Sequence, residues 1–112
     1  MKIAIPITNG TLSAHFGHCE EFALVDVNEQ TKEITNVATL QPPAHEPGVL
    51  PRWLAEQKAD VIIAGGMGQR AQQLFAQNNI KVVVGAPEQS AEALASAYFN
   101  DTLEAGDNAC DH

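Results

Sequence analysis

The chain has 112 residues, 45% hydrophobic and 18% charged, with a net charge of −8. That length and composition predict one soluble domain large enough to bury its own core. The acidic balance repels polyanions. The six basic residues (Lys2, Lys32, Arg52, Lys58, Arg70 and Lys81) are scattered, so nucleic acid is not an expected partner.

The first residues, Lys2-Ile3-Ala4-Ile5-Pro6, read as a strand with Ile3 and Ile5 on one face. Pro6 is expected to end its hydrogen bonding or to mark an edge. Residues 8–19 read as a loop, with Asn9-Gly10 as a turn signal. Residues 22–27 and 33–40, separated by the polar turn Asn28-Glu29-Gln30-Thr31-Lys32, read as an antiparallel hairpin. Residues 41–51 contain four of the six prolines and His45. A first helix is expected over 48–58, where Leu50, Trp53, Leu54 and Gln57 recur at helical spacing, and Pro51 is tolerated in its first turn.

Asp60-Val61-Ile62-Ile63-Ala64 lacks polar alternation and reads as a buried parallel strand. A glycine turn follows, and then a helix with Met67, Ala71, Leu74 and Phe75 as its stripe, ended by Asn78-Asn79. Residues 80–85 read as another buried strand, and both apolar strands are expected to be central and parallel. A third helix is expected to open at Pro87 and Glu88, with Ala91, Leu94, Ala95 and Tyr98 on one face. Beyond Asn100 the chain is polar and acidic, and reads as a flexible Cys/His tail over 101–112. The order β-β-β-α-β-α-β-α implies an α/β domain with a mixed sheet, spanning residues 1–100. Trp53, Leu54, Leu74, Phe75 and Leu94 are expected to be buried. No apolar run approaches a membrane span, and the N-terminus enters a strand pattern directly, so no membrane contact, no signal peptide and a cytoplasmic location are expected. Two cysteines far apart, each near a histidine, do not favour a structural disulfide.

His15-Phe16-Gly17-His18-Cys19 puts two imidazoles and a thiol within five positions of a loop. These are ligands for borderline and soft metals, and spacings of three and four residues allow a turn to gather them at one point. The bland alternative is a loop-capping histidine and a cysteine buried as a small hydrophobe. Cys110 and His112 are further candidates, set against a simple disordered terminus. A site drawn from both clusters suits zinc, copper(I) or an iron–sulfur-type cluster better than magnesium or calcium. Gly65, Gly66, Met67 and Gly68 join a parallel strand to a helix start, a junction whose N–H groups and dipole attract anions. Neither the Lys-Ser/Thr ending of a P-loop nor the order of a dinucleotide fingerprint is present. The first strand carries no acidic residue, which argues against metal-dependent nuclease chemistry, and no nucleophile sits in a strand-turn-helix elbow.

Five features together resemble the dinitrogenase iron–molybdenum cofactor biosynthesis family, especially its small stand-alone members. They are the Lys2-Ile3-Ala4-Ile5-Pro6 opening, the His15-Phe16-Gly17 loop, Phe22-Ala23-Leu24-Val25-Asp26-Val27, the Gly65-Gly66-Met67-Gly68 turn, and residues 80–86. The resemblance implies a ribonuclease H-like fold with a five-stranded mixed sheet and helices on its faces. It implies carriage of a metal–sulfur cluster of molybdenum, copper or iron rather than catalysis. It maps the family's cofactor-binding histidine onto His15 and its glycine turn onto Gly65, Gly66 and Gly68. The expected partner is a metal cluster or an anionic thiometallate. The rival is an interaction or regulatory module without cofactor, and a third reading is a small hydrolase.

Overall fold

The computed structural model of the chain describes residues 1–13, 20–42 and 49–100. The order is β1 (Lys2–Thr8), β2 (Thr11–Leu12), β3 (Glu21–Val27), β4 (Ile34–Leu40), α1 (Val49–Glu56), β5 (Val61–Ile63), α2 (Gln69–Gln77), β6 (Lys81–Val83) and α3 (Ala91–Phe99). Five strands run β4-β3-β1-β5-β6 across one sheet, and β2 pairs with β1 as a sixth. β3 is antiparallel to both β1 and β4, while β1, β5 and β6 are parallel. The expected hairpin and the two parallel strands are therefore present. β6, expected to be central and buried, is instead the edge strand, with Lys81 exposed and Val82 and Val83 only partly buried, because β5 alone pairs with it among the described residues. The expected five-stranded sheet also gains a short strand. Asn9 and Gly10 explain it. Both have positive φ, 55° and 82°, and the two-residue loop they form sets Thr8 opposite Thr11.

Pro6 does not end β1. The strand continues to Thr8 and lies between β3 on one side and β5 on the other. Met1 and Val27 exchange backbone hydrogen bonds, whereas Lys2 C=O accepts from Asp60 N–H. Since backbone groups alternate along a strand, the Pro6 nitrogen turns to the β5 side. β5 pairs there only with Ile3 and Ala4, and β2 takes over at Ile7 and Thr8. The donor that proline lacks falls at this join. Its carbonyl is used, accepting from Ser13 N–H at 2.9 Å.

Alternation divides the core into two layers. Ile3, Ile5, Ile7, Ala23, Val25, Val27, Val61 and Ile63 face α3, which contributes Ala91, Leu94 and Ala95. Ala4, Phe22, Leu24 and Ile62 face the other way, against Leu50 and Leu54 of α1 and Phe75 of α2. Leu54, Phe75 and Leu94 are fully buried as expected, each contributing about 1.5–3 kcal/mol of burial energy. Trp53 and Leu74 are only partly buried. Trp53 packs edge-on against Phe22 with ring centroids 5.8 Å apart and keeps part of its surface in solvent.

Helix ends follow local chemistry. Pro51 is buried in the first turn of α1, where its missing N–H costs nothing. Asn78 caps α2 and Asn79 turns left-handed at φ 61°. The third helix starts later than Pro87. Ser90 is its N-cap, accepting from Ala93 N–H at 3.2 Å, and Pro87 instead shapes a turn in which its carbonyl accepts from Gln89 N–H. Among the described residues, no helix is long and apolar enough to cross a membrane.

Candidate functional site

The parallel strands β1, β5 and β6 share a carboxyl end. β3 starts at that end and β4 returns to it, because each is antiparallel to its neighbour. Chain connections diverge here: β1 leads to β3 on one side, while β5 and β6 lie on the other. The crevice outside the carboxyl ends of strands, at such a divergence, is where α/β sheets usually hold ligands.

The glycine turn occupies this position. It follows β5 and is tied to the end of β6: Gly85 N–H donates to Gly65 C=O at 3.0 Å, and Ala86 N–H to Ala64 C=O at 3.2 Å. Met67 is 1% exposed and packs into the layer beneath α1 and α2. Its carbonyl accepts from Gln72 Nε2 at 2.9 Å, so α2 itself braces the turn. Gly68 is the N-cap, with φ −66° and ψ 156°, and no side chain caps the helix. The first intrahelical bond runs from Gln72 N–H to Gly68 C=O. The N–H groups of the opening turn, from Gln69 to Ala71, thus have no carbonyl one turn earlier and can receive an anion. A Cβ at Gly68 would meet nothing within 4 Å, so its backbone conformation and surroundings do not themselves require glycine.

A second group converges from β1. Ser13 N–H bonds Pro6 C=O and Glu20 N–H bonds Ile7 C=O at 3.0 Å. Ser13 and Glu20 thus both bond adjacent residues of β1. Leu12 N–H also bonds Gln89 C=O, which fastens β2 to the turn before α3. Thr8, the last residue of β1, carries a buried hydroxyl oxygen with no hydrogen-bond partner. By alternation from Ala4, its side chain lies on the α1/α2 face, the face of Met67. A buried hydroxyl without a partner is uncommon and costs stability.

His15, His18 and Cys19, with Cys110 and His112, lie outside the described residues, as does His45. Of the expected site residues, Gly65, Gly66, Met67 and Gly68 are placed, and they stand at the end of the sheet where Ser13 and Glu20 bond β1. Among the described residues, no three His, Cys, Asp or Glu side chains are grouped to hold a metal. Two carboxylates serve structural roles. Glu20 Oε1 accepts from Asn9 N–H at 3.0 Å, fixing the β1–β2 turn. Asp60 Oδ2 accepts from Lys2 N–H at 2.9 Å, at the opposite end of the parallel strands. Thr8 and Gln72 were not singled out by sequence. A threonine ending a strand and a glutamine inside a helix carry no pattern that marks them.

The family model for the dinitrogenase iron–molybdenum cofactor proteins matches residues 1–100. The chain belongs to that family. MJ0580, an uncharacterized protein of Methanocaldococcus jannaschii, is 37% identical over 87 residues, covering 73% of this chain and 72% of that one. The crystal structure of PH0822 superimposes with a TM-score of 0.84 at 28% identity, over 94% of each chain. The apo form of the orange protein from Desulfovibrio gigas superimposes with a TM-score of 0.71 at 19% identity, over 96% of this chain and 93% of that one, a likeness of fold.

Proposed function

We propose that this chain binds or carries a metal or metal–sulfur cluster of the molybdenum, iron or copper type, without catalysing a reaction on it. The observation that carries the reading is the convergence, at one end of the sheet, of the uncapped α2 start and glycine turn with Ser13 and Glu20, between which His15, His18 and Cys19 lie in the sequence. Family membership supports the ligand class.

The donor set fits an anionic cluster. Backbone N–H groups at the start of α2 suit the sulfur edge of a thiometallate, and the local dipole favours an anion even though the whole chain is acidic. The unpartnered Thr8 hydroxyl offers a further donor on the same face. In this reading His15 is a ligand or donates a hydrogen bond to the cluster. His18 and Cys19 supply further N and S ligands, and Cys19 provides the soft donor that copper, iron or zinc prefers. Gly65, Gly66 and Gly68 let the backbone approach, and Met67, with Phe16, limits water. Cys110 and His112 are additional ligands brought by the tail. The frame is that of a ribonuclease H-like domain, and the location cytoplasmic.

The test is anaerobic elemental analysis of tag-free protein, with an absorption spectrum. Stoichiometric metal with sulfide and charge-transfer bands in the visible supports cluster carriage. Protein free of metal, sulfide and colour after anaerobic purification and after incubation with the candidate metals supports the interaction module instead.

A further inference from the structure

We infer that Gln72 is a positioning residue of the candidate site. Its side chain holds the Met67–Gly68 peptide so that Gly68 N–H joins the donors that receive an anionic cluster, an inference that rests on the cluster-carrying reading above. Gln72 lies one turn inside α2. Its backbone N–H bonds Gly68 C=O at 3.1 Å, and its Nε2 bonds Met67 C=O at 2.9 Å. One residue thus holds the carbonyls of both peptide groups that flank the Gly68 Cα. The side-chain amide is oriented by chemistry, since a carbonyl can only accept and the NH₂ group must face it.

Peptide planarity carries this bond to the other side of the link. In a trans peptide, C=O and N–H point in opposite directions. Met67 C=O and Gly68 C=O both point into α2, so Gly68 N–H and Gln69 N–H point out beyond its start. Gly68 N–H has no hydrogen-bond partner among the described residues. It extends the row of open N–H groups from Gln69 to Ala71 by one donor. The Thr8 hydroxyl oxygen, buried and without a partner, stands at the same end of the sheet and comes from β1, independently of α2. A buried hydroxyl in that state points to a bound water or ion.

The length of the side chain matters. Four residues of helix rise by about 6 Å, and side chains lean toward the helix start. Glutamine spans that turn and reaches the residue before the N-cap, whereas asparagine is one methylene shorter. Without the Gln72 amide the Met67–Gly68 peptide is free to rotate, because Gly68 is exposed and a Cβ there would meet nothing within 4 Å. A rotated peptide turns a carbonyl, not an N–H, toward the anion.

Anaerobic titration of wild type, Gln72→Met, Gln72→Lys and Gln73→Lys with tetrathiomolybdate, followed by absorption, tests this together with nitrogen–proton correlation NMR of the metal-free proteins. Gln72→Met keeps length and helix propensity but loses the donor. It should bind about tenfold more weakly or worse, the cost of one hydrogen bond to a charged group. Gln72→Lys returns a donor that reaches the same carbonyl. It should bind as Gln73→Lys does, which measures the added charge alone at an exposed neighbour. In metal-free protein the Gly68 amide signal should move in Gln72→Met and return toward its wild-type position in Gln72→Lys, a rescue that helix stability alone would not give. Equal binding by wild type and Gln72→Met overturns the inference and leaves the cluster reading standing. So does a Gln72→Lys variant as weak as Gln72→Met, or a Gly68 signal indifferent to the residue at 72. A wild type that takes up no thiomolybdate overturns the inference at its root, and the cluster reading then turns on the elemental analysis above.

Discussion

Leu94→Ala tests the layered core most sharply, because Leu94 is the one large, fully buried side chain that α3 contributes to it. The change deletes three carbons. At about 0.8 kcal/mol for each buried CH₂ the transfer loss alone is about 2.4 kcal/mol. The cavity adds to it, and changes of this kind span about 2.7–5 kcal/mol. Ala91 and Ala95, the other buried residues of α3, are too small to fill the space. A loss of about 3–4 kcal/mol is expected, a large part of the roughly 5–15 kcal/mol that a small domain holds. Urea unfolding followed by fluorescence measures it. Trp53, the single tryptophan, sits on the opposite face of the sheet against Phe22. It therefore reports on the layer that the mutation does not touch. If both layers share one sheet, the fluorescence and far-ultraviolet circular dichroism transitions fall together, and both move to lower urea by more than about 1 M at unchanged slope. A loss below about 1 kcal/mol, or a Trp53 transition that stays put while the dichroism shifts, would refute the packing of α3 against the shared sheet.

Gly68→Ser gives α2 the side-chain cap it lacks, so apo stability should rise by a few tenths of a kcal/mol in a thermal melt. The new hydroxyl would compete for the same N–H groups, so thiomolybdate uptake should fall at the same time; unchanged uptake would remove the α2 start from the site. Thr8→Val deletes the unpartnered hydroxyl at nearly constant shape, and apo stability should hold or rise by about 1 kcal/mol. If stability falls instead, that hydroxyl has a partner in solution. Deletion of residues 107–112 should leave the apo melting temperature nearly unchanged, while lowering metal uptake if Cys110 and His112 are ligands. A large loss of apo stability would mean that the tail is packed.

Much of this fold is legible where a single periodicity acts over several residues. Val61–Ile63 lies in an apolar run and is buried throughout, and 22–27 with 33–40 carry the hairpin. Lys81–Val83 lies in a similar run but at the sheet edge, a place that strand composition does not reveal. What escapes is set by contacts beyond the local chain. β2 is two residues long, too short for any periodicity, and exists because the Asn9-Gly10 loop turns it back onto β1. Pro6 reads as an ending because the missing donor matters in most central strands. Here it points at the one place where β1 changes partner. Trp53 and Leu74 have the right helical spacing, but spacing does not reveal how far α1 and α2 lie over the sheet. The site divides in the same way. The glycine turn is visible as a motif, and its position at the carboxyl end follows from the strand–turn–helix order. Thr8 becomes notable only once its oxygen is seen to lack a partner.

We propose that the protein holds a metal or metal–sulfur cluster through His15. Anaerobic titration of wild type and His15→Ala with tetrathiomolybdate and copper(I), and separately with zinc, followed by absorption spectra, tests it most directly. Wild type should develop saturable charge-transfer bands near one cluster per chain, and His15→Ala should lose them or bind far more weakly while melting at about the same temperature. Equal binding by the two proteins, or no binding by either, would contradict the claim.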